Sequence, residues 1–151
     1  HSGQAENFEV QVADGVDADT RGGHEFIEID GTGKVFDCKH RVSSSVIPHG
    51  RSTAIARDAL WNLIWSIEDG QPRADIYIRS HVHYYNYSGN TRYLALITPA
   101  MMGYGSRYGI LMCSGIVNVG FIHFDISEKG EYEWQLHHLK LGSEAEALVK
   151  L

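Results

Sequence analysis

Two hydrophobic rhythms alternate along the chain. From Arg51 to Asp69 apolar residues fall at helical spacing, at Ala56, Leu60, Leu63, Ile64 and Ile67. Ser52 or Thr53 would cap such a helix, Asp58 would sit in an early turn, and Gly70 and Pro72 would stop it. Ala5, Phe8 and Val12 repeat the pattern more weakly between Ser2 and Ala13, with Ser2 as cap and Asp14-Gly15 as terminator. Elsewhere the rhythm is that of strands. Glu25 to Ile29 and Val35 to His40 flank Asp30-Gly31-Thr32-Gly33, which predicts a hairpin. Asp75 to Ile78 is a short apolar strand running on toward His81 and His83, and Arg92 to Thr98 is another, broken by Pro99. Cys113 to Ile126 and Glu131 to Leu141 predict two more strands, with β-branched or aromatic bulk at Val117, Val119, Phe121 and Phe124. Met101 to Gly109 reads as a Gly/Tyr-rich loop and Ser143 to Leu151 as a short helix-prone tail. No internal repeat or low-complexity segment interrupts this order.

The 151 residues are 43% hydrophobic, enough for one domain over residues 1–151 with a core of its own. A formal charge of −6 with no Lys/Arg block argues against nucleic-acid or membrane-surface binding driven by net charge. No apolar run reaches membrane-spanning length and no charged-then-apolar leader opens the chain, so the expected location is the cytoplasm. Cys38 and Cys113 lie among apolar neighbours and read as reduced thiols. The chain opens on His1, which suggests a processed or truncated product, or half of something larger.

Histidine placement changes the picture. In a strand, positions two apart project to the same side, so His81 and His83 are predicted to converge on one metal, at a strand end where α/β sheets collect their ligands. His40 ends another strand. Neutral imidazoles so placed suit Zn, Mn, Fe or Ni; the plainer reading is that each caps a strand or bonds a loop. His49 and Arg51 precede the helix, where an N-terminus and an arginine attract phosphate, or else they cap the helix and pair with surface carboxylates. Tyr84, Tyr85 and Tyr87, with Met101, Tyr104, Arg107 and Tyr108, either line a pocket for an aromatic or nucleotide group or pack a loop. His24, His123, His137 and His138 are assigned to surface or strand packing.

The order Phe36-Asp37-Cys38-Lys39-His40, Ile47-Pro48-His49-Gly50-Arg51 with Thr53-Ala54-Ile55-Ala56, Arg79-Ser80-His81-Val82-His83-Tyr84-Tyr85-Asn86, Thr98-Pro99-Ala100, and Cys113 to Asp125 resembles the C-terminal half of the calcineurin-like metallophosphoesterases, in a phage and bacterial branch. The resemblance implies part of a four-layer α/β/β/α sandwich with a mixed sheet. It also implies a two-metal centre for phosphomono- or phosphodiester hydrolysis, with His40 on one metal and His81 and His83 divided between the two. Substrate contacts would fall to His49, Arg51, Tyr85 and Arg107. Ser80 stands where the family has glycine, and the upstream Asp-x-His and Gly-Asp-x-x-Asp motifs have no counterpart; His1 lies near where the Gly-Asn-His segment would fall, which makes it a candidate catalytic remnant. A separate N-terminal half bringing the aspartates, a phosphoester substrate and a possible homo-oligomer are therefore the expected partners. Nucleic acid enters only as substrate, and the compartment is the host cytoplasm if the chain is phage-encoded. Two other readings stand beside this one: a non-catalytic structural or interaction module that keeps the fold, and a hydrolase with one metal on three histidines.

Overall fold

A computed structural model describes residues 23–43, 45, 47–101 and 117–140. The helix expected at Ser2 to Ala13, the tail from Ser143, and His1, Tyr104, Arg107, Tyr108 and Cys113 lie outside the described residues. In chain order the elements are β1 (His24–Ile29), β2 (Lys34–Lys39), α1 (Pro48–Glu68), β3 (Ile76–Arg79), β4 (Asn86–Asn90), β5 (Tyr93–Ile97), β6 (Val119–Ile126) and β7 (Tyr132–Leu139).

The strands form a five-stranded sheet in the order β1-β2-β3-β5-β4 and a two-stranded sheet, β6-β7. The predicted hairpin is β1 and β2, paired antiparallel from His24 opposite Lys39 to Ile29 opposite Lys34. β2, β3 and β5 run parallel, and α1 makes the crossover from β2 to β3. β4, which the sequence pattern did not announce, is a polar edge strand, Asn86-Tyr87-Ser88-Gly89-Asn90, held antiparallel on β5. The fold is α/β with a mixed sheet.

Helix and second sheet cover opposite faces of the large sheet. Ile55 and Ala59 of α1 pack with Tyr77, Ala95 and Ile97 in one apolar cluster. Phe36, Ile76, Leu94 and Leu96 form the other, against Ile122, Phe124, Ile126, Tyr132 and Trp134 of the small sheet. Strand alternation explains this division: Ile76 points to the small sheet and Tyr77, its neighbour, to the helix. Three layers are thus formed by the described residues, an α/β/β stack.

The structure corrects several details of the helix. It begins at Pro48, with Ile47 in extended geometry as the N-cap, so Ser52 and Thr53 are interior residues rather than caps. Proline at the first helical position loses no intrahelical bond and arrives with a suitable φ. Asp58 lies beyond the early turns, and its carboxylate is taken by Arg79. The buried face carries Ala54, Ile55, Ala59 and Asn62, whereas Leu60, Leu63 and Ile67 are exposed. This is a rotation by one residue, about 100° at 3.6 residues per turn. Buried Asn62 explains much of it. Its amide donates to Pro72 O (2.9 Å), and its Oδ1 accepts from Ala74 N–H (3.0 Å) and Tyr77 O–H (2.9 Å), tying α1 to the loop that follows.

Candidate functional site

The carboxyl ends of β2 and β3 bring two of the three predicted metal ligands together. His40 directly follows β2, His81 lies two residues beyond β3, and their rings meet with His40 Nε2 at 3.1 Å from His81 Nδ1. One of the two facing ring nitrogens donates in this contact and the other accepts, the roles being set by the tautomers. Burial, then the charges of His40, Arg41 and His83, hold the His81 imidazole below its ordinary value, in the neutral form a metal requires.

His83 is placed differently from the expectation. β3 ends at Arg79, before either histidine, and both His81 (φ 78°) and His83 (φ 60°) are in the left-handed region. Strand alternation therefore does not govern them, and the side chain that meets His81 is His40 rather than His83. A left-handed non-glycine residue costs on the order of 1 kcal/mol, and two within three positions persist only where their surroundings hold them. Asn118 supplies much of that hold: its N–H donates to His83 O (2.9 Å) and its Oδ1 accepts from Tyr85 N–H (2.7 Å). On the other side Thr98 N–H donates to Arg79 O (2.8 Å), and the Ser80 and Thr98 hydroxyls are 2.8 Å apart. Among the described residues no group of three or more His, Cys, Asp and Glu side chains is placed to hold a metal ion.

Two imidazoles are thus fewer ligands than a protein metal site uses. Their spacing is nonetheless close to the N···N distance of about 3.3 Å that two histidines adopt on one tetrahedral zinc. The pair fits two positions of a metal centre and requires further donors to complete it.

Beneath the pair lies a charged network that sequence reading passed over. Asp37 of β2 and Arg79 of β3 are 3% and 2% exposed. The guanidinium donates to both Asp37 carboxylate oxygens (3.2 and 2.9 Å), to Asp37 O (2.7 Å) and to Asp58 Oδ2 (2.7 Å). Burial alone would lower the Arg79 pKa, but the bonds to Asp37 and Asp58 outweigh it and shift it upward. His24 Nε2 adds a 2.9 Å contact to Asp37 Oδ1. Three positions separate Asp37 from His40 and two separate Arg79 from His81, so the network fixes the strand ends from which both histidines project. A charged residue at the end of an otherwise apolar strand, as in Ile76-Tyr77-Ile78-Arg79, was the available signal.

Of the substrate candidates, Arg51 lies with its guanidinium 4.5 Å from the centre of the buried Tyr84 ring and donates from Nε to Ser45 O (3.3 Å). His49 is exposed in the first turn of α1. Tyr85 packs between Tyr87 and Trp134, and burial pushes its hydroxyl up to about 12. Cys38 is a half-buried free thiol, raised by burial and by Asp37.

The fold and site define an α/β protein with a histidine pair at parallel strand ends. No protein-family model matches the chain, and no curated protein does. Solved structures of Vps29 from Entamoeba histolytica are similar to it. A single mutant has 17% identity and a TM-score of 0.45, with 81% of this chain and 64% of that one covered. Wild-type Vps29 complexed with zinc has 17% identity and a TM-score of 0.45, with 80% and 64% covered. A double mutant has 15% identity and a TM-score of 0.41, with 81% and 65% covered. The chain therefore spans slightly less than two thirds of the length of the structures it resembles.

Proposed function

We propose that this chain supplies the histidine part of a divalent-metal centre of the calcineurin-like metallophosphoesterase type, and that it hydrolyses phosphoesters where carboxylates complete that centre. The observation that carries this reading is the contact of His40 and His81 at neighbouring parallel strand ends, with the nitrogens at close to metal-sharing distance. The neutral state of His81 and the backbone strain at His81 and His83 point the same way. In such a centre, bound manganese, zinc, iron or nickel would lower the pKa of a water and neutralise phosphate oxygens. The chain's own part is to present His40 and His81 from a rigid base and to place His83 within a turn clamped by Asn118. His49 and Arg51, at the start of α1, are the proposed phosphate contacts, with Tyr85 and Arg107 as the further proposed substrate contacts; His1 and a separate N-terminal half are the proposed sources of the missing chemistry. No described helix is long and apolar enough to cross a membrane.

The test is metal content after purification without chelator, on wild type and on His40→Ala/His81→Ala, with hydrolysis of bis-p-nitrophenyl phosphate in added manganese measured in parallel. Metal lost in the variant together with hydrolysis supports the enzyme. Metal without hydrolysis supports a partial site that needs its other half. No metal in either protein overturns the reading in favour of a non-catalytic module.

A further inference from the structure

At the opposite end of the large sheet from the histidines, α1 presents its more apolar stripe outward. The buried stripe is Ala54, Ile55, Ala59 and Asn62, whereas the one turned away is Ala56, Leu60, Leu63 and Ile67, with Leu60 56% and Ile67 78% exposed. Burying asparagine while leucines stay in water opposes the usual preference, so a role outside the core is called for. Ala56, Leu60 and Leu63 line a groove of about 510 Å³ whose other walls are Ala74, Tyr77 and Tyr93. That volume is within the range of small-molecule sites, and the walls are apolar as such sites are.

The charged part of the groove is cationic, beside the neutral amide of Asn90. Arg73, from the α1–β3 loop, and Arg92, from the β4–β5 turn, both line it and both are exposed. Among the described residues neither guanidinium has an ion pair or a side-chain hydrogen bond, and no carboxylate lines the groove. The nearest candidate on the same loop, Asp75, is turned to Lys34 Nζ (3.5 Å) and to the Val35 N–H (3.1 Å). Two cations without an ion pair among the described residues, beside an apolar wall in a chain of net charge −6, are complementary to an anion that carries a hydrocarbon or aromatic body. We propose that this groove binds such an organic anion, its charged head at Arg73 and Arg92 and its apolar body against Leu60, Leu63 and Tyr93. The site is independent of the metal reading.

Fluorescence titration of the full chain with anilinonaphthalene sulfonate, beside its neutral counterpart phenylnaphthylamine, tests the proposal. One saturable site is expected for the sulfonate, with amide shifts centred on Leu60, Leu63, Arg73 and Tyr93. Arg73→Gln/Arg92→Gln should weaken the sulfonate about tenfold while changing the neutral compound less than about twofold. Leu63→Ser should weaken both, and because Leu63 is exposed the urea midpoint should hold. Equal binding of the two probes, indifference of the sulfonate to the arginine pair, or shifts confined to Met101, Phe121 and Leu139 on the small sheet would overturn the proposal. So would a dimer that Leu63→Ser disperses, since a second copy would then occupy the face.

Discussion

At the scale of single residues, the decisive groups are those whose partners are far away in sequence. Arg79 is the clearest: buried between Asp37 and Asp58, it neutralises carboxylates from two other elements. Arg79→Met would leave the buried Asp37 carboxylate with only the half-exposed His24 contact among the described residues, and a loss of about 3 kcal/mol is expected by urea denaturation. The joint variant Arg79→Met/Asp37→Leu should recover part of that loss. Tyr77 gives the pH dependence. Burial, then the charge of Asp37, raises its hydroxyl from 10.0 to about 12, because a phenolate there would be desolvated and would face a carboxylate. A raised pKa means the folded state holds the proton more tightly. The stability it contributes is complete below pH 10 and lost as pH rises toward 12; Tyr77→Phe should flatten this alkaline fall, worth on the order of 2 kcal/mol, in denaturation midpoints measured across that window. Little of this was legible beforehand. His40, His81 and Asp37 each stand out by type, but which of them touch depends on strand register, which no local pattern contains.

At the scale of elements, the sequence specified type better than orientation. The β1–β2 hairpin, α1, β3, β5 and β7 follow from periodicity and turn residues, and β6 does so from Val119 onward. α1 was rotated in prediction because Ala56, Leu60, Leu63 and Ile67 form the more apolar of two stripes, while the face that packs is fixed by the bonds of Asn62. β4 escaped notice because an edge strand with polar residues lacks alternation and is specified by pairing with β5 alone. The helix start offers a test: Ile47 caps it without a side-chain bond, and no acidic residue occupies the first turn. Ile47→Asp adds an acceptor and a favourable charge at the dipole, so a gain of about 1 kcal/mol is expected from chemical denaturation. In the small sheet, Gly120 has φ 153°, and a Cβ there would collide with His137 O on the paired strand. Gly120→Ala should therefore open the β6–β7 ladder, seen as faster amide exchange at Phe121 and His138, with the α1 amides unchanged.

At the scale of the molecule, three layers meet so that one end of the large sheet carries the histidine pair and the other the cationic groove. The two sheets are joined near the histidines, where the Ala100–Val119 bridge and Asn118 link the start of β6 to the turn after β3. The small sheet thus both covers a hydrophobic face and holds the backbone of His83. The central claim is that His40 and His81 together receive a metal. It is tested most directly by the ring-nitrogen NMR signals of the histidines during a zinc titration of the intact chain. The account predicts that His40 Nε2 and His81 Nδ1 shift together and saturate at one zinc, with His24, His49 and His138 unmoved. Signals of His40 and His81 that stay in place while other histidines shift, or that all drift without saturation, would contradict it.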